Sequence, residues 1–236
     1  MSQVLLHGFT QTSRSWDRYI DLLQPEQSII RFDAPGHANS TAVSADLPTT
    51  ATMVAEQEAK ADYIGYSMGA RLALHIALLH PDSVRRLVLI SGSPGLRSPS
   101  ERSTRVQSDE KLALEILEIG VDKFVEKWLS APMFHGLIST SADIQDRLRN
   151  TAEGLASSLR TSGTGSQQSL WDRLTELSMP VLLLVGSQDE KFSHIASEMK
   201  SAIGANANLM AIDEAGHSVH LEQPHRFQSV ASEFLS

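Results

Sequence analysis

The sequence predicts an α/β fold in which a doubly wound, mostly parallel sheet carries helices on both faces. Two observations lead to this prediction. Short, continuously apolar runs end at glycine or a turn residue, as buried parallel strands do. Longer segments with a helical apolar period lie between these runs, for example Leu72, Ile76 and Leu79, and they supply the covering helices.

Six strands and a closing helix are expected along the chain. The strands, in order, are Val4 to Leu6, Ile29 to Phe32, Tyr63 to Tyr66, Leu87 to Ile90, Val181 to Val185 and Leu209 to Ile212. The last helix runs from about Gln223 to Leu235. Longer helix-like segments between the runs make parallel pairing the expected arrangement.

The strand pattern stops between Pro94 and about Leu170, where charged amphipathic segments such as Asp109 to Ile119 and Val121 to Trp128 replace it. We interpret residues 94–170 as a helical insertion within a single domain spanning 1–236. Loops beyond the carboxyl ends of parallel strands form the binding crevice, so an insertion after Ile90 is expected to cover it as a lid. The alternative is a helical subdomain far from any site.

Composition limits the classes of function. The 236 residues fit one domain, and the formal net charge of −8 argues against a nucleic-acid or anionic-membrane binder, although not against a small anionic substrate. The absence of cysteine excludes disulfides and thiolate metal sites. We expect a cytoplasmic protein without membrane insertion, because we find neither a signal-peptide pattern nor a run of roughly 20 apolar residues. The oligomeric state is left open.

The strongest chemical signal is Gly65-Tyr66-Ser67-Met68-Gly69, between the third apolar run and a helix that starts near Met68. This is the G-x-S-x-G pattern of a nucleophile elbow in its strand-turn-helix context. Side chains at the flanking glycines would collide with the crossing strand and helix. The alternative is an ordinary turn with a serine N-cap. The pattern therefore nominates Ser67 as a nucleophile.

A serine hydroxyl needs a base, and the base needs an acid that fixes its tautomer. Asp189 follows the fifth strand, and His217 lies in a Gly-His turn after the sixth. The order Ser, Asp, His matches the elbow pattern. His220 is the nearest rival base and Asp213 a weaker acid. We predict a Ser67, Asp189, His217 triad.

His7-Gly8-Phe9 follows the first strand directly, and a loop at this place gives one backbone amide to an oxyanion hole. The backbone amides of Phe9 and Met68 are the expected donors, and His7 is expected to brace the loop. Neither a zinc-protease helix nor a phosphate-binding or dinucleotide-binding glycine motif occurs, so we expect no metal and no cofactor.

These motifs resemble those of the α/β-hydrolase superfamily, through Leu6-His7-Gly8-Phe9, Asp33-Ala34-Pro35-Gly36-His37, the elbow and Ala215-Gly216-His217. More specific stretches resemble the family of 2-succinyl-6-hydroxy-2,4-cyclohexadiene-1-carboxylate synthases, which are lyases of menaquinone biosynthesis with that fold. Those stretches are Gly65 to Arg71, Ser93 to Arg97, Trp128 to Phe134, Leu148 to Asn150 and Asp189 to Phe192. The resemblance also implies a helical lid inserted after the sixth strand of that fold.

The resemblance implies an elimination rather than a hydrolysis. The triad would abstract a proton from 2-succinyl-5-enolpyruvyl-6-hydroxy-3-cyclohexene-1-carboxylate, a small polycarboxylate, and pyruvate would leave. Its substrate-binding residues carry over as the carboxylate-binding Arg71, Arg102 and Arg149 and the pocket-lining Tyr66, Trp128 and Phe134. Guanidinium groups match carboxylates in bidentate geometry, and Arg71 lies about one helical turn after Ser67. The arginines could instead pair with neighbouring acids, and Trp128 and Phe134 could be lid core.

Two other functions compete with the lyase. A serine hydrolase, whether carboxylesterase, thioesterase or carbon–carbon bond hydrolase, would use the same triad through an acyl-enzyme. A non-catalytic ligand receptor could use the same fold, although the intact elbow, acid and base argue against it. Binding of the substrate's carboxylates by arginine separates the lyase from the hydrolase.

Overall fold

The computed structural model describes residues 2–22, 28–57 and 60–236. One sheet contains β1 (Ser2–Leu6), β2 (Ser28–Phe32), β3 (Ala61–Tyr66), β4 (Val84–Ile90), β5 (Val181–Gly186) and β6 (Ala207–Ile212). The strand order is β2-β1-β3-β4-β5-β6 and every pairing is parallel. The predicted fold class is therefore confirmed, with each expected strand in its expected place along the chain.

Helices connect the strands and cover both faces of the sheet. They are α1 (Asp17–Ile20), α2 (Leu47–Ala55), α3 (Met68–Leu79), α4 (Pro99–Leu129), α5 (Ser141–Arg147), α6 (Ala152–Ser162), α7 (Glu190–Ile203), α8 (Val219–Glu222) and α9 (Pro224–Phe234). Alternate residues of each strand enter different cores, as the pleat requires. Val4 and Leu6 pack with α2, α3 and α7 on one face, whereas Leu5 packs with residues of α1, α8 and α9 on the other.

The helices between β4 and β5 have a small core of their own. Ala113, Ile116 and Phe124 of α4 pack against Leu155 and Leu159 of α6. Trp128 and Phe9 join the edge of this cluster. Phe9 directly follows the His7-Gly8 turn after β1, so the insertion lies against the carboxyl edge of the sheet.

The strand order reverses direction between β1 and β3, because β2 lies on one side of β1 and β3 on the other. In open α/β sheets the crevice at such a reversal, beyond the carboxyl ends of the strands, is where ligands bind. The segments that leave β1 and β3 at this point are His7 to Phe9 and the elbow at Ser67.

Candidate active site

Ser67 occupies a strained turn between β3 and α3. Its φ of 52° and ψ of −105° lie outside the regions that L-residues favour. A Cβ added at Gly65 would lie 2.3 Å from the carbonyl oxygen of Gly69, and one at Gly69 would lie 2.0 Å from that of Leu6. The Ser67 amide donates to the Ile90 carbonyl at 2.9 Å. Glycine spacing and sheet packing together therefore fix the serine at this edge.

Ser67, His217 and Asp189 form one hydrogen-bonded line. The Ser67 Oγ lies 3.2 Å from His217 Nε2, and His217 Nδ1 lies 2.7 Å from Asp189 Oδ2. With the imidazole proton on Nδ1, that nitrogen donates to the carboxylate and Nε2 can accept from the serine hydroxyl. The second carboxylate oxygen of Asp189 accepts from the Phe192 amide at 3.2 Å. This arrangement can withdraw a proton from the serine and hold the resulting imidazolium.

The His217 loop is held by Glu222 at the end of α8. The Glu222 carboxylate accepts from the Gly216 amide at 2.7 Å and from the Ser218 amide at 2.8 Å, so it binds the residues on both sides of His217. Phe192 packs its ring 4.5 Å from the imidazole centroid. These contacts leave the imidazole, which is 1% exposed, little freedom to rotate.

The rival acid and base lie elsewhere. His220 is buried between the rings of Trp16 and Tyr66, at centroid distances of 4.7 and 4.5 Å. Asp213 is exposed at the end of β6. The geometry thus favours His217 and Asp189 as partners of Ser67.

The backbone amides of Phe9 and Met68 are the donors expected from the sequence for an oxyanion site. Met68 is the first residue of α3, so its amide has no partner within the helix, and within the described residues neither the Phe9 nor the Met68 amide is engaged in a hydrogen bond. His7 braces the Phe9 loop, because its Nε2 accepts from the Ala34 amide at 3.0 Å while Nδ1 donates to the Gly8 carbonyl at 2.8 Å. Burial lowers the pKa of His7 and keeps this tautomer neutral.

A cavity of about 440 Å³ opens in front of Ser67 beneath the helical insertion. Its described lining carries four basic side chains, Arg71, Arg97, Arg105 and Lys191. Two acidic side chains also line it, Glu101 and Glu198. The described lining therefore carries more basic than acidic side chains, in a chain whose net charge is −8.

Arg71 lines this cavity while its guanidinium is partly engaged by the insertion. Nη2 donates to the Ser162 carbonyl at 2.8 Å, and Nη1 donates to Gln167 Oε1 at 3.1 Å and to the Gly163 carbonyl at 3.4 Å. Burial lowers the pKa of Arg71 to about 10, so it stays charged at neutral pH. A guanidinium has five N–H donors, so donors remain for a carboxylate.

Sequence reasoning missed three of the basic residues that line the cavity. Arg97 lies 3.5 Å above the Trp171 ring and pairs with Glu198 at 3.2 Å. Arg105 pairs with Asp109 at 2.7 Å. Lys191 lies 5.4 Å from the Phe192 ring centroid. Arg97 and Lys191 fall inside stretches that carried the family resemblance, which was the available signal for them.

Arg102 and Arg149 lie outside this lining. Arg102 donates to the carbonyls of Leu96 and Arg97, both at 3.1 Å, and so closes the turn before α4. Glu101 and Arg105, four residues apart on one helix face, line the cavity instead. Arg149 lines a separate cavity of about 230 Å³. Arg105, rather than Arg102, therefore lies among the residues that line the cavity.

The three aromatic residues occupy different places. Trp128 lines the cavity. Phe134 is not in the described lining, although its ring lies 6.2 Å from that of His217 and 5.8 Å from that of Trp128. Tyr66 lies behind His217, with its hydroxyl 2.8 Å from Ser218 Oγ, where it supports the His217 loop rather than lining the cavity.

Among the described residues there is no group of three or more histidine, aspartate or glutamate side chains placed to hold a metal ion. The described helices include none that is long and apolar enough to cross a membrane.

Comparison with known proteins shows which family this chain belongs to. The model of the alpha/beta hydrolase family matches residues 3–229. A Bacillus subtilis (strain 168) protein, provisionally named 2-succinyl-6-hydroxy-2,4-cyclohexadiene-1-carboxylate synthase, is 39% identical over 99% of this chain and 89% of its own length. A Photorhabdus laumondii protein with the same enzyme name is 30% identical over 99% of this chain and 84% of its own.

Solved structures agree with the sequence relatives. The structure of MenH from S. aureus superposes with a TM-score of 0.92 at 30% identity, covering 100% of this chain and 93% of that one. An esterase from Thermogutta terrifontis superposes with a TM-score of 0.81 at 24% identity, covering 100% of this chain and 89% of that one, a likeness in fold alone.

Proposed function

This chain is an enzyme that belongs to the alpha/beta hydrolase family, and we propose that it is the lyase that forms 2-succinyl-6-hydroxy-2,4-cyclohexadiene-1-carboxylate in menaquinone biosynthesis. The observation that carries the proposal is the hydrogen-bonded Ser67, His217 and Asp189 line beside a cavity with an excess of basic side chains. The names of the relatives, at 39% and 30% identity over nearly the whole chain, support the same reaction.

The substrate, 2-succinyl-5-enolpyruvyl-6-hydroxy-3-cyclohexene-1-carboxylate, defines the chemistry required. Its most acidic ring proton is on C2, next to the ketone of the succinyl group. Removing that proton forms the C2=C3 bond, shifts the C3=C4 bond to C4=C5 and expels enolpyruvate from C5. The enolpyruvate then takes up one proton and becomes pyruvate, so the reaction needs no oxidant and no water.

Each part of the site has a role in this elimination. Ser67 Oγ, activated by His217, accepts the C2 proton, and Asp189 stabilises the imidazolium that results. The amides of Phe9 and Met68 donate to the ketone oxygen as it becomes an enolate. Arg71, Arg97, Arg105 and Lys191 offer cations to the three carboxylates of the substrate. No step passes through an acyl-enzyme, which is the difference from a serine hydrolase.

Pyruvate release from this substrate tests the proposal directly. Stoichiometric pyruvate and the ultraviolet absorbance of the conjugated diene are expected together, with no acylation of Ser67 detected by mass spectrometry. If the enzyme instead hydrolyses aryl esters through a Ser67 acyl intermediate and leaves the polycarboxylate unchanged, it is a serine hydrolase.

The Arg71→Ala variant separates the two activities. Loss of a charged hydrogen-bonding partner costs about 1.5–3 kcal/mol, so kcat/KM for pyruvate release is expected to fall roughly ten- to hundred-fold. Hydrolysis of a neutral aryl ester, where it occurs, is expected to change little. Because Arg71 also binds the insertion, Gln167→Ala is the control: it removes one Arg71 contact and keeps the charge. Equal losses on both substrates would assign Arg71 a structural role only.

A further inference from the structure

We infer that Asp146, in the last turn of α5, and Asn150, three residues after α5, set the position of the Phe9 amide. Both would then be positioning residues for the proposed oxyanion site. The inference rests on the proposed function only in treating the Phe9 amide as the oxyanion donor.

The loop after β1 contains a turn that does not suit its own sequence. The Gln11 amide donates to the Gly8 carbonyl at 3.1 Å, which closes a four-residue turn with Phe9 and Thr10 in its centre. Thr10 has a φ of 68°. A positive φ at this third position is characteristic of a type II turn, which favours glycine or asparagine there, whereas a β-branched residue is disfavoured. Contacts from outside the turn must therefore hold the conformation.

Asn150 provides such contacts with both ends of its side chain. Nδ2 donates to the Thr10 carbonyl at 2.7 Å and to the Arg147 carbonyl at 2.9 Å, while Oδ1 accepts from the Ala38 amide at 3.0 Å. Ala38 also has a positive φ, of 38°. Only 5% of Asn150 is exposed, so water cannot replace these bonds. One amide side chain thus holds two unfavourable backbone turns in register.

Asp146 and Arg147 hold the same loop beside Asn150. The Asp146 carboxylate accepts from the Thr12 amide at 3.1 Å and from the Thr12 hydroxyl. The Arg147 guanidinium donates to the Thr10 hydroxyl. Both side chains are buried. The bonds from Asn150 and Arg147 to Thr10 and from Asp146 to Thr12 join the insertion to residues that follow Phe9, so this part of the insertion contributes to the position of the Phe9 amide.

Anchoring of the insertion and positioning of the amide have different kinetic consequences. An anchor alone would change thermal stability and KM. A positioning group changes the stabilisation of charge that develops in the transition state, and so it changes kcat.

The test compares Asn150→Asp with Asn206→Asp. Asn150→Asp keeps the size of the side chain and the acceptor for Ala38 but removes both donors. Asn206, which is exposed, is the control for the loss of an asparagine donor, because its Nδ2 donates to the Leu177 carbonyl at 2.8 Å, between the 3-10 helix before β5 and the segment before β6. We expect Asn150→Asp to lower kcat for pyruvate release about ten- to hundred-fold, below the full loss of an oxyanion donor, with KM within about threefold. Asn206→Asp is expected to keep the wild-type kcat.

Two further readouts make the result independent of the reaction. The far-downfield NMR proton of the His217–Asp189 hydrogen bond should persist in Asn150→Asp, and amide hydrogen exchange in residues 8–12 should accelerate. Unchanged exchange there, or a kcat equal to that of Asn206→Asp, overturns the inference. If wild-type enzyme releases no pyruvate, the proposed function is wrong. The hydrogen-exchange measurement still tests whether Asn150 holds the Phe9 loop. If Asn150→Asp does not fold, the same measurements are made on Asp146→Asn.

Discussion

Ser67 is the residue at which backbone strain and chemistry coincide. Its positive φ turns the hydroxyl away from the β3 direction, toward the imidazole that follows β6. A non-glycine residue in this region carries a conformational cost of about 1–3 kcal/mol. The packed glycines Gly65 and Gly69 make that conformation possible, because larger residues there would force β3 and α3 apart. The neighbouring glycines therefore permit the strained conformation that the proposed nucleophile adopts.

Removing any member of the hydrogen-bonded line should reveal that the three side chains act as a unit. Ser67→Ala, Asp189→Asn and His217→Ala are each expected to lower kcat for pyruvate release by several orders of magnitude, on the order of 10⁴ for the asparagine, which allows the wrong imidazole tautomer. A double variant should lose little more than the worse single one. The control is Asp213→Asn, which changes an exposed carboxylate directly after β6 and is expected to keep full activity. Near-native turnover by the His217→Ala enzyme would contradict the assignment of His217 as the base.

At the scale of elements, α4 is two helices joined at Gly120. Its φ of 79° and ψ of 168° interrupt the helical backbone between residues 99 and 129. The two segments expected from the sequence, 109–119 and 121–128, meet at this glycine. The second segment carries Phe124 and Trp128 toward Phe9, and Trp128 is the one of the two that lines the cavity.

Gly120→Ala should destabilise the fold through the backbone alone. A Cβ at this position meets nothing within 4 Å, so the expected cost of about 1–3 kcal/mol comes from the backbone conformation, whose φ of 79° and ψ of 168° are open essentially only to glycine. Gly204, with a φ of 85° and equally open space, is the matched control: Gly204→Ala should cost a similar amount in urea unfolding without lowering activity. A more stable Gly120→Ala chain would mean that packing does not require the bend.

At the scale of the whole molecule, several histidines are buried in neutral form. Burial lowers the pKa of His37 and of His220 to about 3; repulsion from His7 adds to the effect at His37, and repulsion from Arg147 adds to it at His220. Burial also lowers the pKa of His7 and His75. In the unfolded chain these groups titrate near pH 6.5. Below that pH the unfolded state therefore binds protons that the native state does not.

The free energy of unfolding should consequently fall as the pH drops below 6.5. The contribution of a histidine with a lowered pKa is fully present above 6.5 and is lost toward pH 3, at up to about 1.4 kcal/mol per pH unit. Urea unfolding at pH 7.5 and 5.5 measures the difference. His220→Leu should reduce the slope, because it removes one such group whose ring nitrogens have no hydrogen-bond partner among the described residues. Equal stability at both pH values would contradict this account.

The starts of α4 and β4 differ from those expected from the hydrophobic pattern. Ser98 and Glu101 form a capping box with Pro99 at the first position of α4, a sequence signature of a helix start, yet the expected segment began at Asp109. β4 begins at Val84 rather than Leu87, and its early residues Arg85 and Arg86 pair with the buried Asp62 of β3. That ion pair joins neighbouring strands and cannot be seen in a local hydrophobic period.

The sequence by itself determined the fold class and the places of the six strands along the chain, and it nominated Ser67, Asp189 and His217, whose catalytic roles remain predictions. It could do so because apolar periods and glycine spacing are local properties, and because the carboxyl ends of parallel strands meet at one edge. Only the tertiary structure decided which arginines face the cavity. Successive helical residues differ by about 100° in direction, so the packing of α4 against α6, rather than the identity of the residues, placed Arg105 in the cavity lining and left Arg102 outside it.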